Sequence, residues 1–120
     1  MLPAAARMRR RAEFAETVRR GSRAGRPLLA GHLLCRSGCG EPAKIGFVVG
    51  RAVGPAVTRN RVRRQLRHLA RGYLGCLPGG SLLVLRANPQ AATARQADFA
   101  AELDLVVNAL LRRQGEARCQ

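Results

Sequence analysis

Residues 56–73, AVTRNRVRRQLRHLARGY, constrain the fold more than any other stretch of the chain. At about 100° per residue, Val62, Leu66, Leu69 and Tyr73 fall in one narrow stripe, while Arg59, Arg61, Arg63, Arg64, Arg67, His68 and Arg71 spread over the opposite side. A helix of this kind must lay one face on a partner layer and leave the other in water. No carboxylate lies within the segment, so no i,i+4 acid neutralises the cationic face from inside the helix. Its counterion has to come from elsewhere.

The rest of the chain does not supply it. Across 120 residues, 22 basic side chains face only 7 acidic ones, for a net charge of +15. No acid occurs between Glu41 and Asp98, and of the basic residues only Arg86, Arg95, Arg112, Arg113 and Arg118 lie beyond residue 71. Such a field opposes compaction by self-repulsion and suits a polyanionic partner. Lys44 is the single lysine. Arginine favours bidentate and stacked contacts with phosphates and bases, which points to RNA or DNA before an anionic membrane. No apolar run approaches the roughly 20 residues of a membrane span. The start, MLPAAARMRRR, lacks the apolar core of a signal peptide, so a cytoplasmic protein is expected.

The remainder reads as one domain with a modest core. Residues 1–10 form a basic, Ala-rich arm with little to bury, expected to be flexible. Arg11–Arg20 is a short helix in which Phe14 and Val18 are i,i+4 neighbours and Gly21 marks the end. Gly21–Pro27 is a loop. Leu28–Cys35 and Lys44–Val49 are apolar runs of strand length that most simply pair as an antiparallel hairpin across the turn residues SGCGEP, with Gly31 weakening the first run or marking a bulge. After the basic helix, Gly72, Gly75, Pro78, Gly79 and Gly80 break the chain, and Ser81–Arg86 is a short buried strand. Thr93–Arg113 is a final helix with Phe99, Leu103, Val106 and Leu110 as its core stripe, acids towards its start and arginines towards its end. Residues 114–120 are a flexible tail, leaving 11–113 as the folded unit. The result is an α+β sandwich of αβββ type in the order α-β-β-α-β-α, a small central sheet packed by helices.

Catalytic side chains are not evident. Hydrolysis of phosphodiesters by a protein needs clustered carboxylates for divalent metals, or a histidine acid/base pair. Asp98 and Glu102, one helical turn apart, could be imagined as metal ligands but read better as a solvated helix face. His32 and His68 have no partner in sequence, and no phosphate-binding GxxxxGK[ST] loop occurs. His32, Cys35 and Cys39 are close enough to suggest zinc. A structural site needs four ligands, however, and the four cysteines read better as reduced thiols. No protein-bound metal is expected.

The segment IGFVVGRAVGPAVTRNRVRRQLR, Ile45–Arg67, resembles the signature of the bacterial ribonuclease P protein family, whose hallmark is an Arg-Asn-Arg core followed by further basic residues on a helix. The core here is Arg59, Asn60 and Arg61, followed by Arg63, Arg64, Arg67 and Arg71. The likeness extends to MRRRAEF, which ends in Phe14, and to SLLVLRANP. It implies the non-catalytic protein subunit of a ribonucleoprotein endonuclease that removes the 5′ leader of precursor tRNA. The chemistry would reside in the catalytic RNA and in magnesium bound mainly by that RNA. The protein, monomeric by itself and away from membranes, would hold the RNA with the basic helix and the leader in a cleft. Candidates for the cleft are Phe14, Val18, His32, Val48 and Arg51. A left-handed βαβ crossover around the basic helix is implied as well. Aromatics are only 3% of the chain, and Val18 stands where a second aromatic is common, so arginine and apolar packing are expected to replace some stacking. On this division Arg61→Ala weakens assembly with the RNA, and Phe14→Ala weakens binding of precursor over mature tRNA. A structural RNA-binding protein of ribosomal type, with no part in cleavage, is the alternative.

Overall fold

The computed structural model describes residues 3–36 and 42–119, with the side chains of 115–119 excepted. Cys39 and the turn around it lie outside the described residues, as does the side chain of Cys119.

The apolar runs build one four-stranded sheet from β1 (Ser22–Gly25), β2 (Leu29–Leu34), β3 (Lys44–Val48) and β4 (Leu82–Ala87), in the order β1-β2-β4-β3. The helices are α1 (Arg11–Arg20), α2 (Ala56–Ala70) and α3 (Gln96–Cys119). This is the expected α+β architecture, with β1 as an additional strand. The pairing differs. β2 and β3 do not form a hairpin, because β4 lies between them, antiparallel to β2 with Leu33 opposite Leu83 and parallel to β3 with Ile45 opposite Leu83. Both neighbours of β4 are thereby apolar, and β4 itself reads LLVLRA with only Arg86 exposed, as suits a central strand. The hairpin partner of β2 is β1, in a stretch that the sequence presents as loop. SRAG carries a single buried side chain, Ala24, and no β-branched residue to announce a strand.

Pairing register sorts the side chains into two faces. Leu29, Gly31 and Leu33 of β2 align with Ala87, Leu85 and Leu83 of β4, and Ile45 and Phe47 of β3 complete that face. Here α3 covers β1 and β2 while α2 covers β3. Phe99, Leu103, Val106 and Leu110 are fully buried, as are Val62 and Leu66 of the α2 stripe, and each such side chain contributes about 1.5–3 kcal/mol. Gly31 is not a bulge: a Cβ there would lie 2.6 Å from Cγ1 of Val106, so the glycine lets α3 approach the strand. The carboxylate of Asp98 accepts the N–H of Arg95 at 3.0 Å and caps the start of α3, and Glu102 accepts the N–H of Leu28. Both acids therefore serve the fold.

The opposite face carries Ala30, His32 and Leu34 of β2, Leu82, Val84 and Arg86 of β4, and Lys44, Gly46 and Val48 of β3. It is covered in part by α1, whose start has no side-chain cap. Met8 and Phe14 pack there with Leu82, Val84, Leu34 and Val48. The N-terminal arm thus has more to bury than its composition suggests. Ala6 and Met8 are buried, the N–H of Met8 donates to the carbonyl of Ile45, and Arg7 bridges to Ile45 along the outer edge of β3.

Candidate nucleic-acid interface

The arginines of α2 do not act as one surface. Arg59, Arg63 and Arg67 follow one another at i,i+4 and are half-buried, whereas Asn60, Arg64 and His68 form the adjacent, exposed row. Asn60 accepts a hydrogen bond from Arg63 Nη1 at 3.3 Å, which orients that guanidinium. A recess of about 540 Å3 runs along these rows, lined by Asn60, Arg63, Arg64, Arg67 and His68. Arg71 continues the series at the exposed start of a 3-10 turn, Arg71–Cys76. Arg61 is turned differently: its Nη2 donates to the carbonyl of Ala92 and ties α2 to the segment before α3.

No carboxylate pairs with Arg59, Arg61, Arg63, Arg64, Arg67 or Arg71 among the described residues. Burial, then Arg63, then Arg7 hold the Arg67 guanidinium below its ordinary pKa. The rows are therefore a set of crowded positive charges whose neutralisation must come from outside the described chain.

The second part of the site lies on the sheet face beneath α1. A Cβ on Gly46 would fall 2.5 Å from Cε1 and Cζ of Phe14, so the glycine allows the phenyl ring to lie directly on β3. Val48 packs in the same cluster, and Val18, one turn beyond Phe14, is 43% exposed. His32 sits on this face, opposite Arg23 of β1 and Val84 of β4. It is buried, its Nδ1 has no hydrogen-bond partner, and burial, then Arg23, then Arg86 lower its pKa from 6.5. The imidazole is neutral at physiological pH. Phe14, Val18, His32 and Val48 are thus brought to one side of the sheet. Arg51 is exposed in a 3-10 turn beyond β3, and nothing described joins it to Phe14.

Sequence reasoning does not single out Arg23 and Arg86, the charges flanking His32. Strict alternation through SLLVLR places Arg86 on the face of Leu82 and Val84, a signal that could have found it. Arg23 is hidden because nothing in SRAG marks β1 as a strand. Tyr73 extends the apolar stripe and donates from its hydroxyl to Asp104 of α3 at 3.0 Å. Glu13, the neighbour of Phe14 on α1, faces Lys44 at 3.4 Å and Arg36 at 3.8 Å. Among the described residues no group of three His, Cys, Asp or Glu side chains is disposed to hold a metal ion, and Cys35 lies against the hydroxyl of Ser81. The arrangement can bind and orient a polyanion.

A family model described as Ribonuclease P matches residues 2–111. The chain is 51% identical over 120 residues to the ribonuclease P protein component of Streptomyces avermitilis, covering 92% of this chain and 96% of that one. It is 53% identical over 105 residues to the corresponding protein of a Nocardioides species, covering 87% and 90%. Among solved structures, the Staphylococcus aureus RNase P protein superposes with a TM-score of 0.77 over 88% of this chain and 94% of that one, at 17% identity. That from Thermotoga maritima gives 0.71 over 88% and 96%, at 22% identity. At these identities the structural likeness speaks for the fold.

Proposed function

The chain belongs to the ribonuclease P protein family, and on that premise we propose that its two neighbouring surfaces divide the recognition of two RNAs. It is the protein part of an RNA-based endonuclease, works with the ribonuclease P RNA and acts in tRNA 5′ processing. The rows Arg59-Arg63-Arg67 and Asn60-Arg64-His68, continued by Arg71, take the phosphates of the ribonuclease P RNA. The sheet face under α1, with Phe14, Val18, His32 and Val48 and the charges of Arg23 and Arg86, takes the single-stranded 5′ leader of precursor tRNA, and Arg51 lies further along its path. Magnesium and the hydrolytic step belong to the RNA. The carboxylates Glu13, Asp98 and Glu102 are committed to ion pairs and caps, and they are not disposed as a metal cluster.

The observation that carries this reading is a cationic helix without internal carboxylates, set beside a sheet face where Phe14 lies on Gly46. Phosphate contacts supply affinity without sequence, and an apolar, aromatic surface suits unpaired bases. Reconstitution with a bacterial ribonuclease P RNA and precursor tRNA at limiting magnesium tests it. The protein is expected to accelerate leader removal, and Phe14→Ala is expected to weaken binding of precursor tRNA while leaving that of mature tRNA unchanged. Binding to the RNA with no acceleration would instead mark a purely structural RNA-binding protein.

A further inference from the structure

Two histidines occur in the chain, His32 and His68, and the fold puts them in opposite situations. His68 stands exposed in the outer row of α2, whereas His32 is only 6% exposed in the middle of β2. Its register neighbours are Arg23 on β1 and Val84 on β4, and Arg86 follows two residues along β4 on the same face. Both arginines are exposed, and neither has a carboxylate partner among the described residues. The acids of α1, the helix over this face, are engaged elsewhere: Glu13 faces Lys44 and Arg36, and Glu16 faces Arg20. Arg11 and Arg19 of the same helix add only positive charge. The Nδ1 of His32 is itself buried without a hydrogen-bond partner. The imidazole is thus a buried titratable group, bordered by two cations, to which the described residues offer no anion.

A group so placed couples its protonation to the binding of an anion. In the free protein an imidazolium would be held out of water and set against two guanidinium charges, so the proton stays off. A phosphate at Arg23 and Arg86 cancels the charges that oppose the proton and brings a negative charge of its own. Only the cost of burial then remains. We propose that single-stranded RNA binds this face together with a proton, a phosphodiester lying across Arg23 and Arg86 while His32 passes from imidazole to imidazolium. One proton moves from the medium to a ring nitrogen, and no bond to phosphorus is made or broken. Linkage fixes the direction. Because the bound state holds the proton more firmly than the free state, affinity rises as pH falls through the bound-state titration and levels off below the free-state one. Above both it does not depend on pH. The inference rests on the assignment of the leader to this face, and it adds a sensitivity to acidity that an aromatic ring without a titration near neutrality could not supply.

NMR on the full chain tests this directly, since its two imidazoles are followed by their own Cε1–H resonances. The probe is a short oligouridylate, because uracil does not titrate in the range of histidine. Saturation with it is expected to move the His32 titration upward by at least about half a pH unit, equivalent to an affinity gain of up to about threefold from pH 7.5 downwards. Calorimetry at pH 6 in two buffers of different ionisation enthalpy should show net proton uptake, absent from His32→Gln and retained in His68→Gln. A His32 titration unmoved by saturating ligand, or an uptake that follows His68 instead, overturns the proposal. Should His32→Gln not fold, Arg23→Gln combined with Arg86→Gln gives a second readout. The free-state titration of His32 should then rise and its response to oligouridylate shrink, and a response of undiminished size also overturns the proposal. The amides of His32 and Arg86 separate the linkage from the reading beneath it. If they shift while the His32 titration stays in place, the leader assignment stands and the linkage falls. If oligouridylate moves only amides of α2, the leader assignment falls and takes the linkage with it.

Discussion

Arg61 and Arg64 are three residues apart, both exposed and both in the same basic run, yet they meet different partners. Arg61 donates to the carbonyl of Ala92, whereas Arg64 lines the recess with Asn60 and His68. Arg61→Ala is therefore expected to lower stability by about 0.5–1 kcal/mol, the worth of one exposed charged hydrogen bond, as read by denaturant unfolding. Arg64→Ala should leave stability unchanged and make the logarithmic salt dependence of RNA binding shallower by about 0.7–0.9 for each phosphate it ceases to neutralise. His32 gives a second expectation at this scale. Its folded pKa lies below 6.5, so the unfolded state takes up the proton more readily. The contribution of the neutral imidazole to stability is complete above pH 6.5 and is lost as pH falls through the folded value. Thermal unfolding between pH 7 and pH 5 should show this as a falling midpoint, and His32→Gln should flatten that slope.

At the scale of elements, α2 is fastened at both ends, by Arg61 near its start and by Tyr73 just beyond its end. Burial, the hydrogen bond to Asp104 and the charge of that carboxylate push the Tyr73 phenol up to about 12. Tyr73 is the only tyrosine, so absorbance at high pH reports it alone. Its midpoint should lie near 12 in the folded protein and near 10 in the unfolded one, and Asp104→Asn should bring the folded value down. The stabilising effect of this tie is whole below pH 10 and disappears as pH rises through about 12. Helices are the legible elements. A period of 3.6 marks the stripes of α2 and α3, and Gly21 marks the end of α1, because those signals are local. Strand pairing is not legible, since nothing within Leu28–Cys35 or Lys44–Val49 says that Leu82–Ala87 will come between them. The same limit explains the site: the arginine rows can be read from a helical wheel, but the approach of Arg7 to Arg67 depends on an arm that pairs with the edge of β3.

For the molecule as a whole, the sheet separates two kinds of surface. One face is closed by α2 and α3 into the main core, and the other is covered only in part, so that Arg23 and Arg86 remain exposed beside buried His32. The composition makes a polyanionic partner legible, but not that the positive charge divides between a helix and the far side of the sheet. The position of β4 also sets the order in which the protein can be made. During synthesis β3 emerges with neither a β2 partner nor any neighbour on its inner edge until the chain has grown through Ala87. A chain stopped at Gly80 should therefore show by circular dichroism the helices α1 and α2 at most, and should aggregate through the exposed KIGFV strand. The full chain should fold more slowly than a helical bundle of equal length, because its decisive contacts span long separations. A nascent ribonuclease P protein thus carries an open strand edge from the completion of β3 at Val48 until Ala87 has been added, and it closes only when the last strand slides between two already made.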